Sequence, residues 1–476
     1  MPASRTNRTA DFVVVGGGAA GLASAWTAAR KGHSVLLIER HRLGGDCTWT
    51  GCVPSKALID QARKVKAARD IGFDGEVNWE QIIGTVHRRR EFVSQDESVE
   101  TLNSQGIEVL LGEAAFTSPG HLSVEGTTVS AKKAIVLGTG STALLPPIDG
   151  LAEANPLTND TIFEQTSQPR SLAILGGGPI GLELGQAFQR LGTQVTIFEG
   201  VDRVASKEEP EASAVIQEVL EREGVEFVLG SFVTGVHRAG DTVTITTEDG
   251  RTVQTEEVLA AVGRRPVTSG LEPEKGGVQI TDRGFIKVDE KLRTTADDVY
   301  AVGDITGGLQ FTHVGYDHGA LAVNNALGLI QMSFDPRVIP WATFTEPEIG
   351  RVGLSEAQAY DEYGDAARVA FMPIAETDRA KTSDETDGFV KLIAGPHTLV
   401  RGLAGGNLVG ATVVSPTGGD LIHELALAVK QKTITGRLAQ MVHAYPSWSL
   451  AIRETAAQFF FEYKGAEARP ARPEGL

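Results

Sequence analysis

Asp11-Phe-Val-Val-Val-Gly16-Gly-Gly18-Ala-Ala-Gly21 decides how this chain folds, because it runs an apolar, β-branched segment straight into a glycine turn. Asp11 to Val15 has the length and branching of a buried parallel strand, and the stretch after the turn reads as helix through Arg30. Val35-Leu-Leu-Ile38 makes the next strand and ends on Glu39, 23 residues after Gly16. That acid stands where a ribose hydroxyl needs an acceptor. Strand, turn, helix, strand and acid together predict an adenine-dinucleotide site built on Gly16, Gly18, Gly21 and Glu39.

The unit occurs twice. Ser171-Leu-Ala-Ile-Leu175 is a strand, Gly176-Gly-Gly178-Pro-Ile-Gly181 the phosphate turn and Leu182 to Leu191 the helix. Val195-Thr-Ile-Phe198 closes on Glu199, again 23 residues past the first glycine. Two such units in one chain imply two bound dinucleotides, as a flavoprotein reduced by a nicotinamide requires. A carboxylate at Glu199 accepts from a free 2′-hydroxyl and repels a 2′-phosphate, which favours NADH over NADPH. Arg203, four residues on, pulls the other way.

Between the units lies Leu43-Gly-Gly-Asp-Cys47-Thr-Trp-Thr-Gly-Cys52-Val-Pro54-Ser-Lys56-Ala57, which holds both cysteines of the chain. On a straight helix the pair would be separated by a rise of ~7.5 Å, beyond the ~4.4–6.8 Å that a disulfide spans. A bridge therefore requires a bend, for which Gly44, Gly45 and Gly51 supply the freedom. Pro54 suits a first helical turn, so Cys52 falls near a helix N-terminus, where the dipole favours a thiolate. A zinc site would want four ligands. A pair of idle buried thiols is the other plain reading, and the glycine and proline frame argues against it.

At 476 residues the chain exceeds one core, and roughly two to four domains are expected. A net charge of −17 and a pI near 5.1 argue against nucleic acid or an acidic membrane face as partner and favour a small substrate. Met1 to Ala10 is polar, without the apolar core of a secretory signal, and no run approaches the ~20 apolar residues of a membrane span. A cytoplasmic location is expected, where a cysteine pair cycles rather than staples.

Elsewhere, Arg88-Arg-Arg90 sits in a helical region, 53–104, and reads as a solvated face. Short strands fill 107–137 and lead through Thr139-Gly140 to Pro146-Pro147, a hinge. Strands at 242–246 and 258–262 end at Gly263-Arg-Arg-Pro266, a second hinge. Asp304 follows the strand Val299-Tyr-Ala-Val302, at the strand end from which doubly wound folds present ligand-binding groups, with a plain helix cap as the alternative. A helical run covers 312–330. Past Pro336 and Pro340, strands and amphipathic helices without a phosphate turn suit a packing or dimerisation domain. Gly465 to Leu476 has the composition of a disordered tail.

These residues resemble one family closely. Gly44-Gly-Asp-Cys47 through Gly51-Cys52-Val-Pro-Ser-Lys56, Thr139-Gly140, Gly176 to Glu183, Gly263 to Pro266, Ala301 to Asp304, Phe344-Thr-Glu-Pro-Glu348 and Val352 to Glu356 are similar to the flavin-dependent pyridine nucleotide-disulfide oxidoreductases. That group includes dihydrolipoamide dehydrogenase, glutathione reductase and mercuric reductase. The resemblance implies an α/β protein with two Rossmann-like dinucleotide-binding domains and an α+β C-terminal interface domain. FAD would be held by 1–148 and 267–335, NAD(P)H by 149–266, and 336–476 would dimerise. Gly45, Thr139, Gly140, Gly263 and Asp304 would contribute to the cofactor sites. Cys52 would be the thiol against the flavin and Cys47 the one facing substrate, bridged when oxidised, with Lys56 beside the flavin and paired with Glu183. The family works as a homodimer whose partner's C-terminal segment completes the site.

That segment breaks the pattern. Disulfide-reducing members read His-x-His-Pro-Thr-x-x-Glu, and this chain reads His443-Ala-Tyr445-Pro-Ser-Trp-Ser-Leu450. Phenol, with a pKa of ~10, is a poor base where imidazole at ~6.5 shuttles protons well. Tyrosine here is similar to mercuric reductase, whose soft-metal substrate suits thiolates, yet the vicinal C-terminal cysteines of that enzyme are missing. His443 or Glu454 would have to compensate for the lost acid-base pair. Trp49, Trp448 and Tyr445 are expected either to line an aromatic pocket or simply to pack. The expected enzyme passes electrons from NADH through FAD and the dithiol to a soft metal ion or small disulfide. A quinone reductase using the flavin directly and a non-catalytic redox-sensing flavoprotein are the rival readings.

Overall fold

The computed structural model describes residues 7–73, 75–396 and 405–473. The strand Asn7–Val15 lies at the centre of the first sheet, flanked in parallel by Val35–Glu39 and Thr127–Leu137. Ile107–Leu111 extends one side and Val299–Ala301 the other. Alternate residues serve opposite faces. Phe12, Val14, Leu37 and Val136 pack with the helices Ala19–Arg30 and Thr312–Leu327, while Val13, Val15, Leu36 and Leu137 pack against the antiparallel strands Ala114–Ser118 and His121–Val124. Burial on both faces is why these strands are continuous apolar runs.

A second parallel sheet runs Glu226–Leu229, Gln194–Glu199, Ser171–Leu175, Glu257–Ala260, with the antiparallel strands Val233–Ala239, Thr242–Thr247 and Thr252–Thr255 beside it. The chain enters and leaves this unit through one ribbon, Ser141–Ala143 paired with Arg264–Pro266. The third layer is a six-stranded antiparallel sheet built from Pro340–Thr343 onward and covered by the helix Gly418–Lys430.

Two expectations are corrected. Arg90 is buried, paired with Glu164 and bonded to Trp49 O, because helix Trp79–Ser94 turns that residue inward rather than to solvent. The tail is ordered through Pro473: Arg469–Pro470 pairs with Arg368–Pro373, Arg469 binds Glu356, and Ala471 is buried. Residues 474–476 of that tail lie outside the described residues. Among the described residues, no helix is long and apolar enough to cross a membrane.

Candidate active site

One cavity of about 2520 Å³ runs along the first sheet's glycine turn, past both cysteines and into the second glycine turn. A pocket for one ligand is typically ~300–1,000 Å³, so this space suits two large ligands end to end. Of the residues assigned catalytic or cofactor-binding roles from the sequence, all line it except Gly21, Gly181 and Tyr445. The two glycines have a packing reason: a Cβ at Gly21 would meet Gly16 O at 1.8 Å, and one at Gly181 would meet Gly176 O at 2.0 Å. The helix can approach the carbonyl of the turn this closely only where its residue has no Cβ.

The two turns match in detail. Glu39 accepts from Gly17 N at 2.7 Å and Glu199 from Gly177 N at 2.8 Å, so each carboxylate is fixed at the edge of its turn. Arg203 is directed away from Glu199, donating to the carbonyls of Ser206 (2.7 Å) and Glu208 (3.1 Å).

Gly44 and Gly45 take positive φ, 95° and 58°, and bend the chain so that Cys47, in the short helix Gly45–Trp49, lies beside Cys52, the first residue of the helix Cys52–Asp70. The two cysteines stand side by side as free thiols. Cys52 opens on the cavity yet lies deep between its walls. Its thiol is pulled down to about 6, first by the Cys47 thiol that donates to it, then by Thr312 and Lys56, against the cost of burial. Cys47 is pushed up by the same contact and by burial. Thr312 Oγ1 stands 3.2 Å from Cys52 Sγ.

Lys56, one turn along, pairs with Glu183 at 2.8 Å and sits 4.5 Å from the centre of the Phe344 ring. Phe344 N donates to the other Glu183 oxygen at 2.9 Å. The second unit's helix Pro179–Leu191, the cysteine helix and the C-terminal layer therefore meet at one ion pair.

Asp304 accepts from Ser141 at 2.5 Å and lies 3.6 Å from Arg264, which also grips Asp46, the neighbour of Cys47. Burial pushes the Asp304 carboxyl up despite these donors. Asp304 lies inside the 3-10 turn Gly303–Thr306, whose N-cap is Val302, so it does not cap a helix. Thr312 carries no motif signal of its own, since only the fold brings it to the cysteines.

The aromatic residues do not converge within one chain. Trp49 lines the cavity between Arg42 and Arg90, its indole donating to Leu43 O at 2.7 Å. Trp448 lies under Arg379, and Tyr445 is exposed with its hydroxyl on Asp378 at 2.9 Å. Neither proposed substitute for the lost acid-base pair is free: His443 Nε2 faces Glu424 at 3.2 Å, and Glu454 accepts from Tyr463 and Lys464, both at 3.0 Å.

Residues 10–319 match the family model described as pyridine nucleotide-disulphide oxidoreductase, and residues 339–456 match that family's dimerisation domain. The chain belongs to this family. Within it, a mercuric reductase of Streptomyces lividans is 35% identical over 94% of the chain and 96% of its own length. A dihydrolipoyl dehydrogenase of Geobacillus stearothermophilus is 33% identical over 94% and 95%. The structure of a Cu(II) complex of the HOCl-induced flavoprotein disulfide reductase RclA from Escherichia coli superposes with a TM-score of 0.85 at 27% identity, covering 94% of the chain and 99% of RclA.

As a member of the pyridine nucleotide-disulphide oxidoreductases, the chain is an oxidoreductase that uses FAD and NAD(P)H and carries a C-terminal dimerisation domain. The residues present fit those groups. The two glycine turns, each edged by a fixed carboxylate, open on one space that also holds the buried Asp304 and the thiol pair.

Proposed function

We propose that this protein is an NADH-dependent FAD oxidoreductase that delivers electrons through the Cys47–Cys52 pair to a thiol-reactive acceptor, a soft metal ion before a small disulfide. The observation that carries the reading is the place of Cys52: it opens a helix, touches Thr312, and lies in the same cavity as Cys47 and both glycine turns, a setting that pulls its thiol down. FAD, once bound, supplies the two-electron relay between a nicotinamide and this sulfur.

The chain's residues do the rest. Glu39 and Asp304 would hold FAD hydroxyls, and Glu199 the 2′-hydroxyl of NADH, a preference that the turned-away Arg203 leaves unopposed. Lys56, fixed by Glu183 and Phe344, would keep a positive charge beside the flavin and the Cys52 thiolate. Asp46, clamped by Arg264, would set the position of the Cys47 turn.

The acceptor follows from what the site lacks. A disulfide needs a proton for its leaving thiolate, help typically worth ~10²–10⁴ in rate, and Tyr445 and Leu450 offer no imidazole–carboxylate pair to give it. A soft cation needs none. The mercuric reductases among the relatives and the Cu(II) complex of RclA support that choice. The working unit is a homodimer in which the partner's 443–450 segment closes the cavity.

An acceptor panel of Hg(II), Cu(II), glutathione disulfide, lipoamide and a naphthoquinone, run with NADH and with NADPH, tests this. Metal turnover with NADH that Cys47→Ser abolishes is expected, with disulfide turnover below ~10 s⁻¹. Disulfide turnover above that rate, or metal turnover that survives Cys47→Ser, refutes it.

A further inference from the structure

The two dinucleotide units share one register and differ at two matched positions. Glu39 stands opposite Leu111 in the first sheet, and Glu199 opposite Leu229 in the second. Both acids also accept from the residue two places on: Glu39 from His41 N at 2.7 Å and Glu199 from Val201 N at 3.3 Å. Counted from these anchors, Arg40 corresponds to Gly200 and Ala114 to Phe232. In the first unit the large residue follows the acid, where Arg40 lies 3.9 Å from Glu113, and Ala114 is buried at the head of its strand. In the second unit the bulk has changed sides.

Phe232 is 61% exposed, yet its backbone is fastened: Glu248 N donates to its carbonyl at 2.9 Å, and its own amide donates to the Glu248 carboxylate at 3.3 Å. The ring rests against Gly200, where a Cβ would come within 2.2, 2.5 and 2.8 Å of three ring carbons. Only a residue without a side chain leaves it this place. Gly230 N donates to Val201 O at 2.8 Å and ties together the two loops that carry the pair. Glu199, Gly200 and Phe232 all line the cavity.

The order of strands says what reaches this ring. Ligands of doubly wound sheets lie outside the carboxyl ends of the strands. Across the second sheet those ends follow one another as Leu175, Glu199 and Leu229. The first leads into the glycine turn for a pyrophosphate, the second carries the acid for a ribose, and the third leads into the loop that presents Phe232. A base joined to that ribose and pointing away from the pyrophosphate falls on the Leu229 side of Glu199, where Gly200 and Phe232 meet.

We propose that Phe232, laid against Gly200, is the stacking platform for the adenine ring of the nicotinamide cofactor, a contact that the first unit does not offer its own dinucleotide. A phenyl face stacks on a purine and shields apolar surface of both from water, which the methyl group of Ala114 cannot do. The backbone of Phe232 is held in place before any ligand arrives, so binding has little left to order. The two contacts read different parts of the cofactor. Glu199 meets the 2′-position, whereas Phe232 meets the base that NADH and NADPH share. The inference rests on the reading that the second glycine turn holds the nicotinamide cofactor.

ADP-ribose carries the adenosine half without the nicotinamide and isolates this contact. Its binding to the FAD-loaded dimer, followed by isothermal titration calorimetry, should weaken about tenfold in Phe232→Ala. Phe232→Trp should restore it, and Phe232→Leu, apolar but not flat, should stay weak. In stopped-flow reduction of the flavin, Phe232→Ala should need about tenfold more NADH for half-saturation while the limiting rate holds. Reduced nicotinamide mononucleotide, which has no adenine, should not distinguish Phe232→Ala from the parent. A Phe232→Ala variant that binds ADP-ribose as the parent does, or that loses as much with the mononucleotide as with NADH, overturns the proposal, as does Phe232→Leu binding as tightly as Phe232→Trp. A parent protein that binds no ADP-ribose overturns the reading of the second turn and this one together. A parent that takes NADPH as readily as NADH overturns only the cofactor preference, because the Phe232→Ala loss then appears with both.

Discussion

Replacing Thr312 with valine removes one hydroxyl from the Cys52 sulfur and leaves the helix Thr312–Leu327 packed as before. Hydrogen bonds to charged groups contribute ~1.5–3 kcal/mol, and a sulfur acceptor at 3.2 Å that opens on the cavity belongs at or below the low end. At ~1.36 kcal/mol per pKa unit, the loss should move the Cys52 midpoint from about 6 to about 7. The sign is fixed: the donor favours the thiolate, so its removal shifts thiolate formation to higher pH. At pH 6.5 the ionised fraction would drop from about three quarters to about one quarter. Iodoacetamide alkylation of NADH-reduced protein, followed on the Cys52 peptide by mass spectrometry from pH 5 to 9, reads this directly. A midpoint that stays in place, or moves down, would show that Thr312 does not stabilise the thiolate.

Arg264→Leu should strand the Asp46 and Asp304 carboxylates that the guanidinium faces, and the purified protein should carry less flavin, read as the ratio of flavin to protein absorbance; full occupancy would count against the assigned clamp. Lys391→Met should cost about 3–5 kcal/mol in urea denaturation, because Glu209, Glu211 and Glu356 would lose the cation they surround, and a loss under ~1 kcal/mol would contradict it.

The glycine turns, their acids and the cysteine motif were legible because each is a local pattern. Periodicity, turn chemistry and a fixed 23-residue spacing are readable without knowing what lies opposite. Arg88-Arg-Arg90 shows the limit, since three like residues in a row meet three different environments on one helix: Arg88 on Thr85, Arg89 on Asp60, Arg90 buried against Trp49. The tail misled for a related reason. Its Pro- and Glu-rich composition suggests disorder, but Arg469 finds a buried carboxylate 113 positions away.

The sequence alone determined the α/β class, the two dinucleotide units and the position of the thiols, because strand burial and phosphate turns follow from neighbours in the chain. The turn chemistry also pointed to Cys52 as the thiol that ionises, but only the tertiary structure decided what surrounds it. Thr312, Lys56 and Glu97 act on the sulfurs through space, from a helix 260 residues away in one case. Lys391 makes the same point in the core: a lysine in a fully buried strand is tolerable only because three carboxylates from two distant segments close around it. Electrostatic energy depends on distance and on the exclusion of water, and neither is a property of the order of residues.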